Sequence, residues 1–163
     1  MAERKPKCRL EVNYQVEGLK NDTARFRKAA EWVARKFDLA SMDVSIAVVD
    51  DPTIHELNRE HLEHDWPTDV ISFVFEFDEE TGAVEGEIIA SVDTARRLAE
   101  QAGWQTDDEL LLYITHGLLH LAGLDDIEPE EQLEMRQNER DCLVDLGVVG
   151  AEEHLARWNG ISY

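Results

Sequence analysis

Residues 106–126, TDDELLLYITHGLLHLAGLDD, decide how the rest of the chain is read. No charged side chain occurs between Leu110 and Leu121, so the segment predicts a helix that is apolar nearly all round and lies in the core. Thr106-Asp107-Asp108-Glu109 predicts its start as a capping box with acidic residues in the first turn. Gly123 can end it. Within it, His116 and His120 stand four residues apart, on one helical face, where both imidazoles can address a single atom. A buried histidine alone is more often a hydrogen-bonded core residue. Two at this spacing each need a polar partner, and a shared metal satisfies both. The turn after Gly123 can swing Asp126 back as a third ligand. Asp125 is the competing carboxylate, and Asp126 also reads as a solvated loop residue. Three protein ligands leave one position for water, the layout of a catalytic zinc rather than a structural one.

Working outward, Cys8–Tyr14 alternates as a strand, and Asn21 or Asp22 can cap a helix running to about Phe37. Val44–Val49 is a short apolar strand. Asp50 or Asp51 caps a helix that Pro52 opens and that runs to about Glu63. Val70–Phe77 and Val84–Ser91 form two strands joined by a turn at Glu80-Thr81-Gly82, an antiparallel pair. A helix starts at Ser91 or Asp93 and ends near Gly103. Pro129 opens a last helix that runs to Gly147. The order β-α-β-α-β-β-α-α-α predicts a single α+β domain over residues 1–163, without repeats or linkers.

Apolar residues make up 43% of the 163, a globular composition. No run is apolar for the ~18 residues that a membrane span needs. The N-terminal MAERKPKCRLEV lacks an apolar h-region, so no secretory signal is expected. Cys8 and Cys142 form no metal-spaced pair and read as free thiols of a cytoplasmic protein. The net charge of −20 is uneven: residues 1–40 carry +4 and residues 41–163 carry −24. Broad nucleic-acid binding is disfavoured by this balance. Any RNA contact falls to the basic residues of the N-terminal third, Arg4, Lys5, Lys7, Arg9, Arg25, Arg27 and Lys28, which otherwise read as solvated charges.

The spacing also fits the metzincin pattern His-x-x-x-His-x-x-Gly-x-x-ligand. Zincin proteases place a glutamate general base directly after the first histidine, and Gly117 stands there instead. The segment therefore suggests a hydrolase and argues against a protease.

HGLLHLAGLDD, preceded by GEIIAS and followed by Met135-x-x-x-Glu139, resembles the YbeY family of bacterial rRNA maturation factors. So does Pro67-Thr68-Asp69-Val70-Ile71-Ser72-Phe73. The resemblance runs from about Val44 to Leu146. It implies one α+β domain with a mixed sheet flanked by helices and the metal on a central buried helix. It further implies a zinc-dependent, single-strand-specific endoribonuclease that matures the 3′ end of small-subunit (16S) rRNA and serves ribosome quality control, with ribosomal or ribosome-assembly proteins as partners.

Two positions depart from the family pattern. Leu124-Asp125-Asp126 replaces Tyr-Asp-His, so the third ligand becomes a carboxylate, which also suits iron, manganese or nickel. Leu62 stands where the family commonly has an arginine. Arg59, three residues earlier on the same helix, is the candidate to neutralise a phosphate, or else a solvated helix arginine. Asp69 is a candidate catalytic residue behind a ligand histidine, or a turn residue. Ser72 reads as structural. His61 and His64 read as exposed, and His55 and His154 belong to no constellation. The competing function is a ribosome-assembly binding protein whose metal is mainly structural.

Overall fold

Alternation builds the first element of the computed structural model, which describes residues 5–62 and 70–153, and of residues 60–62 the backbone alone. β1 (Lys7–Tyr14) exposes every second side chain. α1 (Thr23–Lys36) buries Phe26, Ala29, Ala30, Val33 and Ala34 at helical spacing. β2 (Ser41–Val49) starts three residues before the apolar run that announces it. Its first residues, Ser41–Asp43, are poor strand formers, yet they lie between Lys7–Arg9 and Ala83–Glu85, and pairing on both sides overrides propensity.

α2 (Asp51–Leu62) is capped by Asp50, whose Oδ1 accepts from the Thr53 amide at 2.9 Å. β3 (Val70–Asp78) and β4 (Ala83–Ser91) meet across a turn in which Gly82 takes a φ of 73°. α3 (Val92–Ala102) is capped by Ser91. α4 (Thr106–Leu121), α5 (Pro129–Asp145) and a single 3-10 turn at Ala151–Glu153 follow.

The strand order is β1-β2-β4-β3. β1, β2 and β4 run parallel, and β3 is an antiparallel edge strand, so the sheet is mixed. The two sheet faces differ, as β4 shows: Ile88 joins the main core with α1, α4 and α5, while Ile89 joins a smaller cluster with Ile54 of α2, Val49 and Ile71. This is an α+β fold in which α4 is the central helix, packed against α1, α3, α5, β3 and β4. Among the described residues no helix is long and apolar enough to cross a membrane.

Two glycines seat α4. A Cβ on Gly117 would lie 2.9 Å from the Ile88 side chain, and a Cβ on Gly86 of β4 would lie 2.6 Å from Leu121. Helix and strand each give up a side chain where the other presses in. The start of α4 differs from the expected capping box. Gln105 is the N-cap, Thr106 is already helical, and no side chain caps the end. The Gln105 carbonyl takes the Asp108 and Glu109 amides, both at 3.1 Å, so the helix begins one residue early; the Asp108 side chain turns to Arg25 at 2.8 Å, and Glu109 is buried.

Candidate metal centre

Between Glu109 and Leu121 every residue is buried except His116 and His120. The helix therefore opens only where its imidazoles stand. Its end brings the third group. Gly123, at a φ of 105°, donates its amide to the His120 carbonyl, and Leu124 donates to the Leu119 carbonyl, both at 3.0 Å. This Schellman-type stop reverses the chain. Asp126 returns to place Oδ2 3.4 Å from His116 Nε2 and 3.6 Å from His120 Nε2. The structure brings together His116, His120 and Asp126. Asp125 is exposed and accepts from the Asp126 amide at 3.3 Å.

The far side of each ring fixes its tautomer. His120 Nδ1 lies 2.9 Å from the Leu124 carbonyl, which only accepts, so Nδ1 donates. His116 Nδ1 lies 2.9 Å from Glu139 Oε2 on α5, and that carboxylate, fully buried, is gripped by Arg136 Nη1 at 2.6 and 2.7 Å. The carboxylate accepts and the ring donates. In the neutral rings both Nε2 lone pairs then face inward, 3.0 Å apart, beside a carboxylate oxygen. Electron pairs so converged are stable around a cation.

The separations of 3.0, 3.4 and 3.6 Å bracket the edge of about 3.3 Å that a tetrahedron with bonds of about 2.0–2.1 Å requires. The donor set therefore fits a divalent metal. The His120 ring beside it, helped by His116 and Arg136, holds the Asp126 carboxyl below the usual carboxylate range, against burial pushing it up. Side-chain exposure rises from 0% at Glu139 through 13% at His116 and 23% at His120 to 33% at Asp126, so the centre is closed behind and open in front.

Other candidates fall elsewhere. Arg59 is exposed on α2, which covers the opposite face of the sheet, and pairs with Glu56 at 2.7 Å. Arg25 is held by Asp22 and Asp108. Asp108 lies in the first turn of α4, about 12 Å along the axis from His116 at 1.5 Å per residue. Arg27 and Lys28 are exposed, and Lys28 shares a groove between α1 and α5 with Trp32, Arg35, Lys36, Asp141 and Asp145. Arg4, His64, Pro67, Thr68, Asp69, His154 and the side chains of His61 and Leu62 lie outside the described residues. Arg136 and the Leu124 carbonyl were not legible as functional groups. Sequence reasoning assigned Glu139 no role, although it interrupts the apolar spacing Met135, Cys142, Leu143 on α5, where a buried acid needs a partner.

Fold and site together define a class of α+β proteins in which a buried central helix presents two histidines, and the turn after it a carboxylate, toward one open-sided point. The chain belongs to the Endoribonuclease YbeY family, whose family model matches residues 11–147. It is 45% identical over 107 residues to the Endoribonuclease YbeY of Rhodopirellula baltica, covering 64% of this chain and 54% of that protein. It is 36% identical over 137 residues to the Endoribonuclease YbeY of Bacteroides thetaiotaomicron, covering 82% of this chain and 98% of that one. The solution structure of TM1509 from Thermotoga maritima shares the fold, with a TM-score of 0.57 at 21% identity over 89% of this chain and 95% of that one.

Proposed function

We propose that the chain is a metal-dependent, single-strand-specific endoribonuclease that matures the 3′ end of small-subunit rRNA and acts in ribosome quality control in the cytoplasm. The observation that carries this reading is the convergence of His116, His120 and Asp126 on one point in a chain of this family. Zinc is the first candidate, with iron, manganese or nickel admitted by the carboxylate. Held by His116, His120 and Asp126, such an ion would supply a Lewis acid for a phosphodiester oxygen and would lower the pKa of water at the open side.

The protein's own groups prepare that position. Glu139 and the Leu124 carbonyl keep both Nδ1 protons in place, so each ring offers Nε2 and neither swings away. Gly117 is closed to a protease's glutamate, because Ile88 fills the space where a side chain would begin. Asp69 is the candidate for a second-layer role, and Arg59, exposed on the opposite face of the sheet, for an RNA phosphate away from the centre. RNA contact is assigned to the basic segment, to Arg27 and Lys28 before Arg25. Ribosomal or ribosome-assembly proteins are the proposed partners, since basic proteins suit an acidic surface. A second reading, an assembly factor with a mainly structural metal, is favoured by Asp126 and Leu62 at positions where the family carries histidine and arginine.

Elemental analysis and cleavage of a single-stranded RNA by the same preparations test both. The expected result is about one divalent ion per chain, with metal and cleavage both lost in His116→Ala/His120→Ala. Asp126→His keeps the metal, Asp126→Ala weakens it, and Asp125→Ala changes little. Full metal content in the double variant removes the site. Bound metal in a folded wild-type chain that leaves RNA intact selects the second reading.

A further inference from the structure

The edge strand β3 carries a strip with no part in the metal centre. Val74, Phe75 and Phe77 are 50%, 61% and 40% exposed. β3 pairs with β4 on one side, and among the described residues no strand pairs with its other side. An unpaired edge offers N–H and C=O groups to an incoming strand. Edges are commonly guarded by lysine or proline, and β3, nine residues long, has neither. A bulge interrupts its pairing, which passes from Val74–Gly86 to Glu76–Glu85 and leaves Phe75 as the extra residue.

The strip is set in acid. Glu76 and Asp78 alternate with the phenylalanines, Glu79 and Glu80 follow, and Glu85 and Glu87 lie on β4. Asp43 of β2 is registered against Glu85, which is registered against Glu76. The chain has no Lys or Arg between Arg59 and Arg96.

We propose that the edge of β3 over residues 74–78 is a docking site for an extended basic segment of a partner protein, which adds to the sheet as a further strand. Charge selects the occupant. A polyanion would meet the carboxylates of β3 and β4 with no described cation beside them, since the cation of that row, Arg9, stands against Asp43 on β1 at the opposite edge of the sheet. A second copy would set Glu76 and Asp78 against the same residues, and like charges directly opposite destabilise a strand pair. A segment alternating Lys or Arg with apolar residues matches both rows at once, because strand side chains alternate with a period of two. Its cations meet Glu76, Asp78 and Glu85 while its apolar side chains cover Val74, Phe75 and Phe77. The site is independent of the RNA reading, and its test uses neither cleavage nor metal.

The probe is a fluorescent octapeptide alternating Lys and Val, titrated into the full chain with anisotropy and amide hydrogen exchange as readouts. Expected are saturable binding that weakens with salt, slowed exchange over residues 74–78, and at least a tenfold loss of affinity in Phe75→Ser/Glu76→Lys, both exposed positions. A peptide of equal charge with proline at the pairing positions binds at least tenfold more weakly. Equal binding of the proline peptide, or an unaffected double variant, reduces the effect to general attraction to an acidic chain and overturns the proposal. Protection of the same amides by a single-stranded oligonucleotide, or by self-association of the chain alone, overturns it in favour of those occupants.

Discussion

The end of α4 and the surface of α1 both bear on the proposed RNA chemistry, and they are built in opposite ways. At the end of α4 each group is held by another: Arg136 holds Glu139, Glu139 holds His116, and the turn that stops the helix holds His120 and returns Asp126. On α1, Arg27 and Lys28 are exposed and make no ion pair among the described residues, whereas Arg25 serves Asp22 and Asp108. A site that must hold an ion is paid for in burial and fixed geometry. A surface that must attract a polyanion needs only net charge and reach. The first is sensitive to single atoms, and the second is expected to respond in small, additive steps.

The sharpest break of that comparison is Glu139→Gln. The amide keeps the shape but leaves Arg136 with an uncompensated buried charge and His116 without its carboxylate. Metal affinity should fall about 10- to 100-fold by competition with a chelator, and urea unfolding should show a loss of about 3–5 kcal/mol. Unchanged affinity would mean that the ring needs no support from α5. Gly117→Ala comes next. Its Cβ would sit 2.9 Å from Ile88, and overpacking of this kind costs about 1–3 kcal/mol. A neutral result in thermal unfolding would show that the helix can back away from the strand.

On the surface side, Arg27→Glu/Lys28→Glu should weaken single-stranded RNA binding and lower the salt slope by about one for each phosphate no longer neutralised. Stability should stay within about 0.5 kcal/mol. Arg25→Glu should differ from that pair by also destabilising the chain, since it sets a glutamate against two aspartates. Equal effects on RNA and stability across the three would erase the difference between tied and free charges on α1. The smallest expected effect is at Asp51. Its burial pushes the carboxyl up, but Ser91, Arg97 and Thr94 outweigh this and leave it below the ordinary range. A lowered folded value contributes stability above the unfolded value of about 3.9 that fades as pH falls through the folded one. Asp51→Asn should therefore flatten the acid limb of the stability–pH curve below about pH 4. Above that pH the variant should be less stable than the wild type by the contribution that the carboxylate makes with Ser91, Thr94 and Arg97, and the difference should shrink as pH falls.

Periodicity made most of this fold legible. Strand alternation in Cys8–Tyr14, the charge-free run in α4 and the proline that opens α5 each record a constraint local in sequence. What escaped was set by partners distant in the chain. Ser41–Asp43 extend β2 because two neighbouring strands demand it, and Asp108 of the expected capping segment turns to Arg25 of α1. At the centre, the i,i+4 histidines and the glycine turn could be read from spacing. The choice of Asp126 over Asp125 required the direction of the chain after Gly123, and the Arg136–Glu139 grip required knowing which face of α5 meets α4.

The Gly123 stop has a consequence for how this segment tolerates change in length. The interval from His116 to Asp126 acts as a ruler, since the same turn ends the helix, supplies the carbonyl that orients one ring and aims the carboxylate. One residue inserted before the stop would carry the turn round by about 100° and along by about 1.5 Å, sending Asp126 to another side of the helix. Substitutions can be graded here, whereas insertions and deletions cannot. This loop is held to a fixed count by the point at which its three side chains meet.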